Sequence, residues 1–170
     1  CSIFSYLIKK AEMNTPVATL YFISVGVFAL GAFQAAIMAR GSAYAKTCWT
    51  FSALCLFFSL FQLSCGLQFT ASNFHAAMAA HKWVNIFSVL LIPLIWFLVA
   101  SLEDKSSSFR HAYIVAVLAA CVIGYNYFMP HGFRFDTVSQ DGLTTLPWGE
   151  QMWIFSGEPS LVFRAMRFMS

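Results

Sequence analysis

A chain of 170 residues that is 59% hydrophobic and only 10% charged cannot clothe a water-soluble fold, because an ordinary soluble domain carries roughly 25% charged residues. The mean hydropathy of +0.70 and the 19 phenylalanines point the same way: lipid must face much of the surface. The formal net charge of +3 is spread along the chain, which excludes the clustered basic footprint of a nucleic-acid binder, and the length bounds the chain at one domain.

Residues 1–15 open with a short apolar run, Ile3 to Ile8, followed rather than preceded by Lys9 and Lys10. This is the reverse of a cleavable signal peptide, so the segment is expected to be interfacial or an upstream extension. Met13-Asn14-Thr15-Pro16 would make a natural chain start directly before the first long apolar run.

A helix needs roughly 20 mainly apolar residues to cross the hydrocarbon core. Residues 16–39 contain no charge and form the first predicted span, and the short basic patch Arg40 to Lys46 separates them from a second, 47–71. Ser72 to Lys82, with Asn73, His75 and His81, reads as a loop before a third span at 83–102, where Pro93 is tolerable because neighbouring helices can satisfy the freed carbonyl. Glu103-Asp104-Lys105 and Arg110-His111 mark a return to water, and 112–129 makes the fourth span, closed by Pro130. Beyond it Phe133, Phe135 and Thr137 alternate with polar residues, Gln140-Asp141-Gly142 is a turn signal, and Leu143 to Phe155 is compatible with strand. The expected fold is therefore an all-α membrane protein: a bundle of about four transmembrane helices over 16–129, a small hairpin-like extracytoplasmic segment at 130–158, and a C-terminal partial helix at 159–170, too short to span unless it begins a fifth span.

Orientation follows from Lys and Arg in short loops. Arg40, Lys46, Lys105 and Arg110 occupy the first and third loops against Lys82 alone in the second, so loops 40–46 and 103–111 are expected in the cytoplasm and 130–158 outside a bacterial inner membrane.

Helix association in lipid relies on close backbone approach and interhelical hydrogen bonds, so small residues should line the contacts. In the second span Cys48, Ser52, Cys55, Ser59, Gln62 and Gly66 step alternately by four and three, drawing one stripe down a face from which Leu54, Phe57, Phe58 and Phe61 largely depart. Ala112, Ala116, Ala120 and Gly124 give the fourth span a row at spacing four, and Gly31, Ala35 and Ala39 do so in the first. These rows are the expected seams; leucine at Ser59 or Ala120 should disrupt packing and leucine at Phe58 should not. Gln34, Gln62, Gln68, Asn85 and Asn126 form the polar interior, each needing a partner away from lipid. Such residues serve either as hydrogen-bonded glue between helices or as the lining of a signal-sensitive cavity.

Catalytic chemistry is not visible. The seven acidic residues all fall outside the predicted spans, so no intramembrane carboxylate marks a proton or ion path, and no nucleophile, paired carboxylates or metal constellation stands out. No cofactor is expected. The alternative of a haem held by the outer-side histidines His75, His81 and His131 competes with plain interfacial histidines. Cys48, Cys55, Cys65 and Cys121 lie in apolar stretches and read as free structural thiols, and Trp83, Trp148 and Trp153 near predicted boundaries read as an aromatic belt.

The span at Pro16 to Ala39, the basic turn Arg40 to Lys46, Ala79-Ala80-His81-Lys82-Trp83 leading into the third span, and Thr144-Thr145-Leu146-Pro147-Trp148-Gly149-Glu150 after the fourth together resemble the multi-span N-terminal sensory region of bacterial sensor histidine kinases and diguanylate cyclases. The resemblance covers roughly residues 16 to 160. It implies a sensory, signal-transducing input module without its own activity, with Pro147, Trp148, Gly149 and Glu150 as an extracytoplasmic motif. The chain departs from the pattern in two ways. It stops at Ser170 where a further span would be starting, and it carries no phosphoacceptor-histidine helix, ATP-binding glycine box or Gly-Gly-Asp-Glu-Phe motif. The expected partners are the bilayer and other membrane helices or subunits, a second copy of the chain among them. The competing expectations for function are a small accessory subunit of a larger membrane complex and, behind that, a small membrane carrier.

Overall fold

The computed structural model describes residues 16–103, 106–138, 143–145, 147, 151–153 and 155–168. Readings that fall on residues 1–15, on the Gln140-Asp141-Gly142 turn and on Trp148, Gly149 and Glu150 lie outside them. Four long helices, α1 (Pro16–Ala39), α2 (Ala45–Phe69), α3 (Phe74–Glu103) and α4 (Ser106–Phe128), are followed by β1 (Phe135–Val138), β2 (Leu143–Thr145), β3 (Gln151–Trp153), β4 (Gly157–Pro159) and α5 (Leu161–Phe168). All four long helices are apolar enough to cross a membrane, and the chain is a membrane-embedded helical bundle.

The helix boundaries follow from local chemistry. Pro16 opens α1, where its missing N–H costs nothing because a first-turn N–H has no intrahelical partner. The turn into α2 uses Gly41 at φ +82, and the Tyr44 N–H donates to Ser42 Oγ at 3.0 Å. Two predicted boundaries shift. The third helix starts at Phe74 rather than near Trp83, because Asn73 caps it: its Oδ1 accepts the Ala76 N–H at 2.9 Å, and the following alanine-rich stretch is strongly helix-forming despite His75, His81 and Lys82. The fourth starts at Ser106, with Ser108 Oγ donating to Glu103 Oε2 at 2.6 Å across the tight return. Pro93 is buried within α3 and the helix continues through it.

Each long helix packs on its neighbours in sequence, α1 on α2, α2 on α3 and α3 on α4, and no other pair of them makes comparable contact. The bundle is thus an open row whose outer helices, α1 and α4, each have one packed side. Along the α1–α2 seam the buried residues are Ala18, Ala32, Ala35 and Ala39 facing Ser52, Cys55, Ser59 and Gly66. Close approach lets side chains reach the neighbouring backbone: Ser52 Oγ donates to Ala32 O at 2.7 Å and Ser59 Oγ to Val25 O at 3.0 Å. A Cβ on Gly66 would stand 3.2 Å from the Phe22 ring, so glycine there permits the approach, whereas Gly31 meets only Cys55 Sγ at 3.8 Å. Cys48 at the start of the stripe and Gln62 within it are half-buried. Phe58 is not the bystander the stripe suggested: its ring sits 4.4 Å from that of Phe28 on α1.

The fourth seam differs from expectation. Ala112, Ala119 and Asn126 are buried, Ala116 and Gly124 are only half-buried, and Ala120 is exposed. The reason is geometric: at 3.6 residues per turn a spacing of four advances about 40° each step, so a strict four-residue row winds off its face, while a spacing of seven drifts only about 20°. The α2 stripe stays on its face because it alternates fours and threes.

The strands pair otherwise than a simple hairpin at Gln140 to Gly142 would require. β1 pairs antiparallel with β4 (Phe135 opposite Pro159, Val138 opposite Gly157), and β2 pairs antiparallel with β3 (Leu143 opposite Trp153). The inner connection therefore lies around Pro147, which is exposed in a turn. We call residues 130–160 the cap. Ser160 starts α5, its Oγ accepting the Phe163 N–H at 3.2 Å.

Ser59→Leu should remove the bond to Val25 O and force the helices apart, costing about 1–3 kcal/mol, whereas Ala120→Leu should leave thermal stability in detergent unchanged. Phe58→Leu should fall between them, at about 0.5–1.5 kcal/mol for the lost ring pair. Melting curves of the three variants check the assignment of faces, and a loss for Ala120→Leu as large as that for Ser59→Leu would overturn it.

Candidate functional site: a polar cluster beneath the cap

The cap rests where α2 passes into α3 and where α4 ends. Its aromatic side chains dock there: the Trp153 ring lies 5.9 Å from Phe74, Phe155 lies 5.9 Å from Phe74 and 4.8 Å from His81, and Phe135 lies 6.1 Å from His81. Two polar contacts fix the register. Trp153 Nε1 donates to Ala71 O at 3.3 Å, and Gln68 Nε2 donates to Trp153 O at 3.5 Å while its Oε1 faces His81 Nδ1 at 3.4 Å.

Behind this layer His81 and Asn85 stand one turn apart on the buried face of α3. Asn126 on α4 is buried, with 1% of its surface exposed. Its Nδ2 donates to Lys82 O at 3.4 Å and its Oδ1 accepts the Phe133 N–H at 3.0 Å. The next peptide group along the chain is held too, since Ser160 Oγ donates to Phe133 O; the Ser160 N–H also donates to Arg134 O at 3.1 Å. A continuous relay thus runs from α3 through Asn126 and Phe133 to Ser160 at the start of α5. The Phe133 side chain meanwhile packs with Val89 and Ala119, ringed by Val122, Ile123, Tyr125 and Phe163. Arg134 lies 5.6 Å from the Phe135 ring and 5.4 Å from that of Phe163, a stacked cation on the outer surface.

Gly132 makes this possible. Its φ of +77 lies in the left-handed region, and a Cβ there would come within 2.6 Å of Asn126 Oδ1 and 3.2 Å of Asn85 Nδ2. Of the residues expected in the polar interior, the structure brings Asn85, Asn126 and Gln68 to the cap. Gln62 lies half-buried on α2 with a buried Oε1 that has no hydrogen-bond partner among the described residues. Gln34 is exposed on α1, because it sits roughly opposite Ala32, Ala35 and Ala39 around the helix; it does not belong to the interior. Ser160, Gly132 and the Phe133 peptide carry no composition signal that would have marked them.

Of the histidines expected on the outer side, His75 is exposed beside the edge of Phe74, His131 is half-buried, and His81 is buried between aromatic rings. No group of three or more His, Cys, Asp or Glu side chains among the described residues could hold a metal ion. Cys48, Cys55, Cys65 and Cys121 are free thiols. An open groove of about 550 Å³ on α4, lined by Phe109, Arg110, Tyr113, Ile114, Val117 and Leu118, is apolar. Comparison with protein-family models, characterised proteins and solved structures finds no match to this chain.

Asn126→Ala leaves the buried Phe133 N–H without its acceptor, a loss of about 1–3 kcal/mol, and Gly132→Ala forces both a clash and an unfavourable φ. Both should raise trypsin cleavage after Arg134 roughly tenfold or more, while Gly26→Ala, whose Cβ would meet nothing within 4 Å, should not. Timed digestion in detergent reads the difference.

Proposed function

We propose that the chain is a sensory, signal-transducing module of a bacterial inner membrane, without catalytic activity of its own. The cap faces the extracytoplasmic side, and the turns at Arg40 to Lys46 and around Lys105 face the cytoplasm. The observation that carries this reading is the relay through the Phe133 backbone, because it ties the cap both to the buried polar side chains of the bundle and to the first turn of α5. A stimulus that shifts the cap must break or re-form these bonds, and a polar network with two arrangements is a bistable element that a ligand can bias. The resemblance to the membrane sensory regions of histidine kinases and diguanylate cyclases supports the same reading, with α5 as the element that passes the change onward.

The test uses paired spin labels on exposed Ala79 of α3 and exposed Ala165 of α5 in the intact chain in nanodiscs. Asn126→Ala should convert one narrow distance distribution into a broad or shifted one. A distribution that stays narrow and unmoved while proteolysis shows the cap released would sink the sensory reading. Accessibility tags at Ser42 and at Thr144 should report opposite sides of the membrane.

One observation favours a second reading, that of an accessory subunit: the open row leaves outer faces of α1 and α4 available to partner helices. Co-purification in fixed stoichiometry with other membrane subunits would favour that reading.

A further inference from the structure

Two polar atoms in the cluster are buried without a hydrogen-bond partner among the described residues, His81 Nε2 and Asn85 Nδ2. Their residues are 5% and 4% exposed, and standing four apart on one helix they are neighbours on the same face. The bonds around Gln68 fix what His81 offers. Trp153 O can only accept, so the Gln68 atom turned to it is the Nε2 donor and Oε1 is the atom turned to His81 Nδ1. An amide oxygen also only accepts, so Nδ1 carries the ring proton and Nε2 of the neutral imidazole presents a bare lone pair. Asn85 Nδ2 presents N–H.

We propose that this pair is a binding site for a hydroxyl group, which donates its proton to His81 Nε2 and accepts the N–H of Asn85 Nδ2. A carboxylate has no proton to give and an ammonium cannot accept, so neither satisfies both atoms, and a hydroxyl is the smallest group that does. It has two sources, a water molecule or the alcohol group of a bilayer-dissolved molecule whose apolar remainder would lie against Phe135 and Phe155, the rings packed on His81. The inference deepens the sensory reading and rests on it for its consequence: occupancy of the site would bias the cap that covers it. Its own test reads hydrogen bonding at one nitrogen, not movement of α5, so either can fail alone.

The intact chain, labelled with ¹⁵N-histidine in nanodiscs, would be examined by NMR of the ring nitrogens, with His81→Gln assigning the resonance. An unprotonated Nε2 displaced from the free-acceptor position by a hydrogen bond is expected, and Asn85→Leu should return it toward that position. Should Asn85→Leu fail to fold, the smaller Asn85→Val serves, since it too removes the donor. Magnetisation transfer from exchanging water protons to Nε2 identifies water as the source. A resonance that moves on addition of 1-octanol in the wild type, and not in the Asn85 variant, identifies an alcohol. A protonated Nε2, a free-acceptor resonance indifferent to the Asn85 change, or a hydrogen-bonded Nε2 that answers to neither probe would each overturn the proposal, the last because a protein group would then fill the place.

Discussion

The Phe133 N–H, donated to Asn126 Oδ1 at 3.0 Å, is where the cap meets the buried polar chemistry of the bundle, and the arrangement around it follows from one constraint. A backbone polar group removed from water must find a partner, and leaving it unpaired costs about 1–3 kcal/mol. The loop after α4 has turned back onto the helices and buried Phe133, so the peptide groups on both sides of its Cα need partners from elsewhere in the chain. Asn126 supplies the acceptor and Ser160 the donor. Because each of those residues is committed to a different element, satisfying the N–H and C=O of one residue joins α3, α4, the cap and α5.

The same constraint operates along the helices in another form. Apolar surfaces gain little from facing each other rather than lipid, so contact depends on how closely backbones approach and on which hydroxyls can cross. Ser52 and Ser59 reach α1 carbonyls only because the facing residues around Ala32 and Ala35 are small. At the opposite end of the α2–α3 pair the device recurs, with Thr47 Oγ1 donating to Ser101 O at 3.3 Å. These bonds are sparse, and that agrees with an open row in which each helix touches only its neighbours in sequence.

Much of this was legible in the residues, for identifiable reasons. Long uncharged stretches give the spans because the bilayer filters on length and charge alone, and the alternating steps of the α2 stripe hold one face because they average close to the helical repeat. The Ala112 to Gly124 row misled because equal steps of four wind around the helix. The start of α3 was obscured because His75, His81 and Lys82 look like loop residues, and the capping role of Asn73 outweighed them. Strand pairing in the cap depends on which turn closes, and the sequence around Gln140 to Gly142 competes on equal terms with that around Pro147. The site itself was half legible: buried Asn and Gln in an apolar chain demand partners, but their partners, a glycine with positive φ, a peptide and a helix-capping serine, are ordinary residues until the chain folds.

Asn126 also shows why a polar side chain persists where a leucine would be at home in oil. An apolar residue at that position would leave Phe133 unpaired and remove the bond to Lys82 O, so the cap would lose a directional attachment and keep only the packing of Phe133 with Val89 and Ala119. Apolar packing is nearly indifferent to small slides, whereas a hydrogen bond fixes distance and angle. Bonded through Asn126 and Ser160, a displacement of the cap cannot be absorbed locally; it must be shared with the ends of α3 and α4 or with the first turn of α5. Specificity of position is thus what the buried asparagine contributes, and it is the property on which the proposed sensory role rests.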